Sequence, residues 1–154
     1  MADGEVRVIE VCPFRVREKT TEYLLLRRSA GEPLYPGMWQ FVTGRVEAAE
    51  TATAAALREL REETGCAPES FWVVPSVSAF YDPSADAIRS VVLFAARLPC
   101  AGNVRLSAEH DAHAWLPPPA ARQGLVWPSQ RHCLDIVEEY ILRGEAGKLL
   151  AVPL

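Results

Sequence analysis

The sequence predicts a mixed α/β sandwich, an α+β arrangement formed by one domain over residues 1–154. Short runs of β-branched, aromatic and leucine residues lie on both sides of an alanine-rich helical stretch. A second helical pattern follows near the end of the chain, and neither repeats nor linker-like segments interrupt this order. Hydrophobic residues make up 49% and charged residues 23% of the 154 residues, which is ordinary for a globular domain with a proper core.

The first half of the chain is predicted to form strands. Residues 5–16 alternate well enough for a strand, in which Pro13 marks a bulge or an end. The apolar run over residues 22–28 is typical of a central strand that is buried on both faces. A loop rich in glycine and proline follows over residues 29–37, and residues 38–42 form a short strand that leads to the helix.

Further strands are expected after the helix, over residues 71–80, 87–98, 103–106 and 113–116. The segment 81–86 connects the first two of these strands. The loop between the last two contains Glu109, His110 and Asp111, and we expect both His110 and His113 to be polar residues beside a strand rather than catalysts.

A second helix is predicted from Pro128 to Arg143, after three consecutive prolines have ended the sheet and with Gly144 as its cap. Its apolar stripe consists of Leu134, Val137 and Ile141. Such a stripe faces either the core of the same chain or a second subunit, so a homodimer is one of the two possibilities.

The net charge and the cysteine pattern limit which partners and which cellular compartment we expect. The formal net charge is −4, which provides no electrostatic footprint for nucleic acid or an anionic membrane and favours a small-molecule partner. The four cysteines are scattered without zinc-ligand spacing, and we expect them to be reduced and mostly buried, as in a cytoplasmic protein. The N-terminus lacks a signal-peptide core, and no apolar run reaches membrane-spanning length.

The central helix ends in an unfavourable cluster of charge. Its last turn, just before the expected cap Gly65, carries three carboxylates at Glu59, Glu62 and Glu63. Like charges at this spacing repel, and the helix dipole is already negative at this end. A bound Mg²⁺ or Mn²⁺ would compensate, because both prefer oxygen ligands. The alternative is a solvated acidic helix end that Arg58 and Arg61 partly neutralise.

The spacing around this cluster decides between the two interpretations. Gly44, five residues, Glu50, seven residues and then Arg-Glu-Leu-x-Glu-Glu-x-Gly-Cys over residues 58–66 resembles the Nudix box. All polar and glycine positions of that motif match, and Cys66 replaces an aliphatic residue, as a buried thiol can. The resemblance implies a Nudix-type α/β/α sandwich with a mixed central sheet, whose box spans residues 44–66.

The Nudix resemblance implies hydrolysis of a diphosphate linked to another moiety, with Mg²⁺ or Mn²⁺ as cofactor. The implied metal ligands are the carboxylates of Glu59, Glu62 and Glu63 and the backbone carbonyl of Gly44. Arg58 would orient the glutamates, while Glu50 would organise the preceding loop together with Arg58. The general base stays open between these glutamates and one from a later loop.

Residues outside the box complete the predicted site. Glu109 begins a Glu-His-x-x-x-x-Trp-Leu element that resembles one found late in many Nudix proteins, where the glutamate joins the metal site. Arg27, Trp39 and Tyr81 are candidates for substrate binding, by phosphate contact or by stacking on a base. Each has a structural alternative: a solvated arginine, a core or rim tryptophan, and an aromatic residue at a strand end.

Residues 39–44, Trp-Gln-Phe-Val-Thr-Gly, resemble the dihydroneopterin triphosphate pyrophosphohydrolase branch, also associated with dATP. This resemblance implies that pyrophosphate is released from a nucleoside or pterin triphosphate. Tyr81 and Pro83 lie in a region that helps to distinguish hydrolases of dinucleoside polyphosphates and ADP-ribose, so those substrates stay open. A non-catalytic module that binds nucleotides is less favoured, because no box glutamate is missing.

Overall fold

The structure, a computed structural model that describes residues 8–154, contains a mixed seven-stranded sheet between helices. The strands are β1 (Val8–Arg17), β2 (Thr20–Arg28), β3 (Trp39–Gln40), β4 (Val42–Arg45), β5 (Ser70–Asp82), β6 (Ala87–Arg97) and β7 (His110–Leu116). The helices are α1 (Ala52–Thr64), α2 (Pro118–Gly124), α3 (Pro128–Ile136), with a π-helical continuation over Val137–Leu142, and α4 (Ala146–Leu150). The predicted mixed α+β class is confirmed.

Strand β1 is the organising strand of the sheet. The order is β3-β2-β1-β6-β5, in which β1 and β6 are parallel, while β4 also pairs with β1 and β7 with β2. Residues 8–11 of β1 pair with β4, and residues 14–17 pair with β2. Pro13 lies between these two pairings, so it marks a change of partner rather than the bulge or end that we expected.

Helix α1 lies against one face of the sheet and ends at the cap that the sequence predicts. The Thr51 hydroxyl accepts a hydrogen bond from the Ala54 backbone N–H at 3.1 Å, and Gly65 ends the helix in the left-handed conformation at φ 71°. The buried face, which includes Leu60, packs with residues such as Ile9 and Val11 of β1. This packing holds the last turn of α1 above the end of β4.

The opposite face of the sheet carries the second core, covered by α2, α3 and the π-helical segment. The predicted stripe of Leu134, Val137 and Ile141 is buried in this core together with Phe14 and Tyr23 of the sheet. The stripe therefore faces the core of the same chain. Cys12, Cys66 and Cys133 are buried and Cys100 is exposed, all as free thiols, as the scattered pattern predicts.

Several predicted boundaries are wrong. Residues 103–106 form no strand, β7 begins at His110 instead of residue 113, and helices α2 and α4 were not predicted. The helix predicted over residues 128–143 is α-helical only to Ile136 before it widens into the π-helical segment. The expected start of the first strand, residues 5–7, lies outside the described residues. Within residues 8–154, every helix is too short or too polar to cross a membrane.

Candidate active site

The Arg58 guanidinium joins the loop before α1 to the last turns of the helix. Its Nε and Nη2 donate to the two carboxylate oxygens of Glu50 at 2.8 and 3.0 Å, a bidentate ion pair. Its Nη1 donates to Glu59 at 2.8 Å and more weakly to Glu62 at 3.4 Å. Its Nη2 also donates to the Arg45 carbonyl at 3.0 Å. One side chain thus fixes both the loop and the orientation of Glu59.

Gly44 allows the Glu59 side chain to lie directly against strand β4. A Cβ atom at residue 44 would stand 2.2 Å from Glu59 Cδ and 2.5 Å from its Oε1, which is closer than such contacts ever are. The left-handed glycines of the described chain are Gly37 and Gly65, so the requirement at Gly44 is for close approach and not for an unusual φ. The Glu59 carboxylate therefore lies directly against the backbone of β4.

Glu63 is a carboxylate buried without an adjacent cation. It is only 2% exposed, and its Oε2 has no hydrogen-bond partner among residues 8–154. Burial raises the pKa of Glu63 well above its usual range, and the negative charges of Glu59 and Glu109 raise it further. The Thr43 backbone N–H and the more distant charge of Arg28 offset this effect only in part.

Glu63, Glu109 and His110 converge, with one potential ligand atom from each lying within 4.8 Å of the others. Glu109 is exposed in the turn before β7, while His110 is buried at the start of that strand. Burial lowers the pKa of His110 to about 4, with a contribution from Arg28, so the imidazole is neutral near pH 7. Its Nε2 lies 3.3 Å from the Gln40 amide nitrogen. We had not predicted a site role for His110.

These groups fit a hard divalent cation. The orphaned Glu63 oxygen and the exposed Glu109 carboxylate converge, and the negative charge of Glu59 acts on Glu63, so these three carboxylates can offer the oxygen ligands that Mg²⁺ and Mn²⁺ prefer. The pKa of Glu59 is raised by its own burial, partly opposed by Arg58 and reinforced by Glu62 and Glu109. A bound cation would relieve the unfavourable burial of charge at Glu59 and Glu63. The Glu62 side chain is 57% exposed and turned toward Arg58, so it lies further out than the other two box glutamates.

A cleft of about 540 Å³ opens beside these carboxylates, within the range of small-molecule pockets. Its lining is mainly aromatic and apolar, and Tyr35 and Trp127 meet edge to face there at 4.8 Å between centroids. Thr43 and Gln40 also line the cleft. Thr43 and Gln40 link the cleft to the carboxylate cluster, because Thr43 contacts Glu63 through its backbone and the Gln40 amide lies 3.3 Å from His110, while the clustered glutamates themselves do not line the cleft.

Sequence reasoning missed Glu10, which lines the cleft from the middle of β1 although it is only 8% exposed. Burial raises its pKa from 4.5 to about 7, against the smaller opposing effects of the neighbouring Ser129 and Gln130 side chains. The sequence signal for Glu10 is a carboxylate at a core-facing position of a buried strand. We did not use this signal, because Glu10 resembles the polar residues that ordinarily alternate with apolar ones in a strand.

The three residues predicted to bind substrate lie in different surroundings. Tyr81 lines the cleft, and its hydroxyl donates to Asp86 at 2.9 Å. Arg27 pairs with Asp111 at 2.7 Å and lies above the Trp39 ring at 5.8 Å, and neither Arg27 nor Trp39 lines the cleft. Arg28 does line it. Substrate contact by Arg27 and Trp39 stays a prediction.

Comparison of the sequence with known proteins identifies one family and several relatives. The NUDIX domain model matches residues 6–135. An octanoyltransferase of Myxococcus xanthus is 35% identical over 137 residues, which are 84% of this chain and 36% of that protein. The chain thus spans about a third of that relative. The nucleoside triphosphatase NudI of Klebsiella pneumoniae is 31% identical over 113 residues, 69% of this chain and 79% of the relative.

Solved structures share the fold. The Ap4A hydrolase of C. elegans, in a binary complex, superposes with a TM-score of 0.75 at 22% identity, covering 88% of this chain and 97% of the other. The dihydroneopterin triphosphate pyrophosphohydrolase of E. coli superposes with a TM-score of 0.65 at 26% identity, covering 86% of this chain and 94% of the other.

Gly44→Ala is expected to displace the Glu59 carboxylate and to lower any activity of the site by roughly a hundredfold, since misplacing a catalytic group by about 1 Å has effects of that order. The fold should survive, because the obstructing atoms belong to a side chain. Measuring turnover and thermal unfolding together checks both statements. Gly31→Ala is the matched control, since no atom lies within 4 Å of its added Cβ. Full activity in Gly44→Ala would refute the close-approach requirement.

Glu10→Gln is expected to stabilise the unliganded fold at high pH. Because the folded-state pKa of about 7 exceeds the ordinary value of 4.5, the contribution of Glu10 to stability is fully present below about pH 4.5 and is lost as the pH rises through 7. Near pH 8 the variant should gain on the order of 2–3 kcal/mol in free energy of unfolding, and this gain should vanish toward pH 4.5. Urea titrations across this range, with exposed Glu139→Gln as control, measure the effect. A pH-independent difference would contradict it.

Proposed function

The chain belongs to the Nudix family, and on that premise we propose that it is a metal-dependent diphosphohydrolase. In this proposal it cleaves a phosphoanhydride bond of a nucleoside or pterin triphosphate by attack of water and releases pyrophosphate. The observation that supports this most is the buried Glu63 carboxylate, which lacks an adjacent cation and has an orphaned oxygen beside Glu59 and Glu109.

Mg²⁺ or Mn²⁺, held by Glu59, Glu63 and Glu109 with the Gly44 carbonyl and Glu62 as further ligands, would neutralise phosphate charge and lower the pKa of bound water. Arg58 fixes Glu59 against Gly44 through its 2.8 Å hydrogen bond, and the Glu50 ion pair keeps Arg58 in place. The proton of the attacking water passes to a carboxylate oxygen of one of the clustered glutamates.

The cleft provides room for the rest of the substrate. Arg28 lines the cleft and its charge acts on Glu63, so it can pair with phosphate oxygens between the two regions. Tyr81 stands at the cleft with its side chain 56% exposed, available to a planar ring. Neutral His110 contributes no positive charge, so Arg28 and the metal have to balance the phosphates.

The triphosphate specificity is supported by the resemblance of residues 39–44 and by the likeness to the E. coli dihydroneopterin triphosphate pyrophosphohydrolase and to NudI. Dinucleoside polyphosphates or ADP-ribose are the alternative substrates for the same chemistry. We expect a small nucleotide-like partner without nucleic acid or membrane, in the cytoplasm. Homodimer formation stays a prediction that sedimentation would test.

A product-resolved assay with Mg²⁺ tests the proposed function. The substrates are dATP and the other nucleoside triphosphates, dihydroneopterin triphosphate, ADP-ribose and diadenosine tetraphosphate. Pyrophosphate from a triphosphate is the expected product. Cleavage of only the dinucleotide or the ADP-ribose would keep the chemistry and refute the triphosphate specificity. No cleavage of any substrate, with nucleotide still bound, would instead favour a non-catalytic module.

Glu63→Gln is expected to reduce turnover by more than roughly a hundredfold, since even outer-shell partners of metal ligands contribute tenfold to a hundredfold. The same change should raise thermal stability in EDTA, because it removes a carboxylate whose charged form is disfavoured by burial. The stabilisation of the wild type by added Mn²⁺ should be lost in the variant. A folded variant with normal turnover would refute the metal assignment.

Glu109→Gln is expected to lower turnover less, roughly tenfold, because Glu109 is exposed and can be replaced in part by water. The measurement is kcat at saturating Mg²⁺, with Glu139→Gln as the control of equal charge change. If kcat and the stabilisation by Mn²⁺ were both unchanged in the variant, Glu109 would be an ordinary solvated loop residue and not a metal ligand.

A further inference from the structure

The aromatic cleft contains a buried carboxylate that the proposed hydrolytic chemistry does not use. Glu10 lines the cleft and is only 8% exposed. Within residues 8–154, no Lys or Arg forms an ion pair with it. The Ser129 hydroxyl lies 3.3 and 3.4 Å from its two oxygens, longer than typical for such bonds. Both oxygens therefore retain capacity to accept further hydrogen bonds.

The polar side chains beside Glu10 do not satisfy its hydrogen-bonding capacity: the Ser129 hydroxyl lies at 3.3 and 3.4 Å, and Gln130 Nε2 has no hydrogen-bond partner among residues 8–154. Gln130 is fully buried, and its Oε1 accepts a hydrogen bond from the Phe41 backbone N–H at 3.0 Å. The pKa of Glu10 is lowered by Ser129 and Gln130, yet burial outweighs them and raises it to about 7. A buried carboxylate in this condition is stabilised most by N–H donors that a ligand supplies.

The walls of the cleft suit a planar ring. Tyr35 and Trp127 form an edge-to-face pair there, and Phe80 and Tyr81 from the β5–β6 hairpin are half exposed on the other side. Aromatic faces around a cleft bind flat heterocycles by stacking. Glu10 lines the same cleft, so its carboxylate is available to the edge of a ring bound between these walls.

Glu10 lies close in the sheet to the strand residues that adjoin the glutamate cluster. Glu10 is the direct cross-strand partner of Thr43 in the β1–β4 pairing, and Ile9 is the partner of Gly44. Thr43 lines the cleft and its backbone adjoins Glu63, while Gly44 adjoins Glu59. Glu10 thus lies one strand pairing away from the positions that adjoin the glutamates, so a ligand with its phosphates there can place its ring in the cleft at Glu10.

We propose that Glu10 determines substrate specificity by accepting two adjacent N–H donors from the 2-amino-4-oxopyrimidine edge that guanine and pterin rings share. This inference rests on the proposed function, since it assigns the substrate class of that site. A carboxylate matches the ring N–H and the exocyclic amino group of this edge in a bidentate arrangement. Adenine presents one donor beside a ring nitrogen that is an acceptor, which a carboxylate repels. Hypoxanthine keeps the ring N–H but lacks the amino group.

Calorimetric titration with nucleoside monophosphates tests Glu10 without requiring turnover. The probes are GMP, IMP, AMP and neopterin monophosphate, without added metal. Wild type should bind GMP at least about tenfold more tightly than IMP or AMP, since each bidentate contact typically discriminates by roughly tenfold to a hundredfold. Glu10→Gln, whose amide offers one donor and one acceptor, should lose the preference over IMP and shift toward AMP. Glu139→Gln is the control and should keep the wild-type order.

The outcomes separate this inference from the proposed function. Equal binding of GMP and IMP by wild type, or a preference for AMP, overturns the role of Glu10 even if the triphosphates are hydrolysed. A GMP preference that depends on Glu10 supports it even if no substrate is cleaved, in which case only the proposed function fails. Tighter binding of neopterin monophosphate than of GMP identifies the pterin as the source of the edge, and the reverse order identifies guanine.

Discussion

The Arg58 guanidinium is the contact on which the carboxylate cluster depends. It binds both oxygens of Glu50 in the loop before α1 and also Glu59 in the helix, so the loop and the helix cannot move independently. Because this cation is directed toward Glu50 and Glu59, the Glu63 carboxylate is compensated only in part, by the Thr43 backbone N–H and by the more distant charge of Arg28. The negative end of the helix dipole adds to the remaining charge. The carboxylate cluster at the end of α1 therefore keeps an excess of negative charge, which a bound cation would neutralise.

Two buried carboxylates, Glu63 and Glu10, lie on or close to the paired strands β1 and β4. Glu63 lies near the backbone of Thr43, and Glu10 is the cross-strand partner of Thr43. Neither carboxylate has an adjacent cation within residues 8–154, and burial raises the pKa of both. Each therefore makes the unliganded fold less stable than a neutral side chain would. Departures from the rules of stable folding concentrate at functional sites, which supports ligand contact at both positions.

Local patterns predicted α1 well because its determinants lie within it or at its end: the alanine-rich sequence and the cap Gly65. Residues 103–106 alternate like a strand, yet the Arg105 N–H donates to the Thr64 carbonyl at 2.8 Å, so this segment completes the end of α1 instead of joining the sheet. The box glutamates could be singled out from their spacing. The burial of Glu10 and His110 could not, because it depends on helices and strands far away in sequence.

The contrast between Arg27 and Arg28 shows the limit of strand alternation most directly. Leu24 and Leu26 belong to the core under α1, so strict alternation would direct Arg28 to that face and Arg27 to the face of the cleft. The β2–β7 register shifts between Arg27 and Arg28, which interrupts the alternation at this point. Arg28 lines the cleft, held by Glu32 and the Leu34 carbonyl, whereas Arg27 pairs with Asp111. A one-residue irregularity in strand pairing thus selects which arginine reaches the site, and it has no counterpart in the sequence of β2 alone.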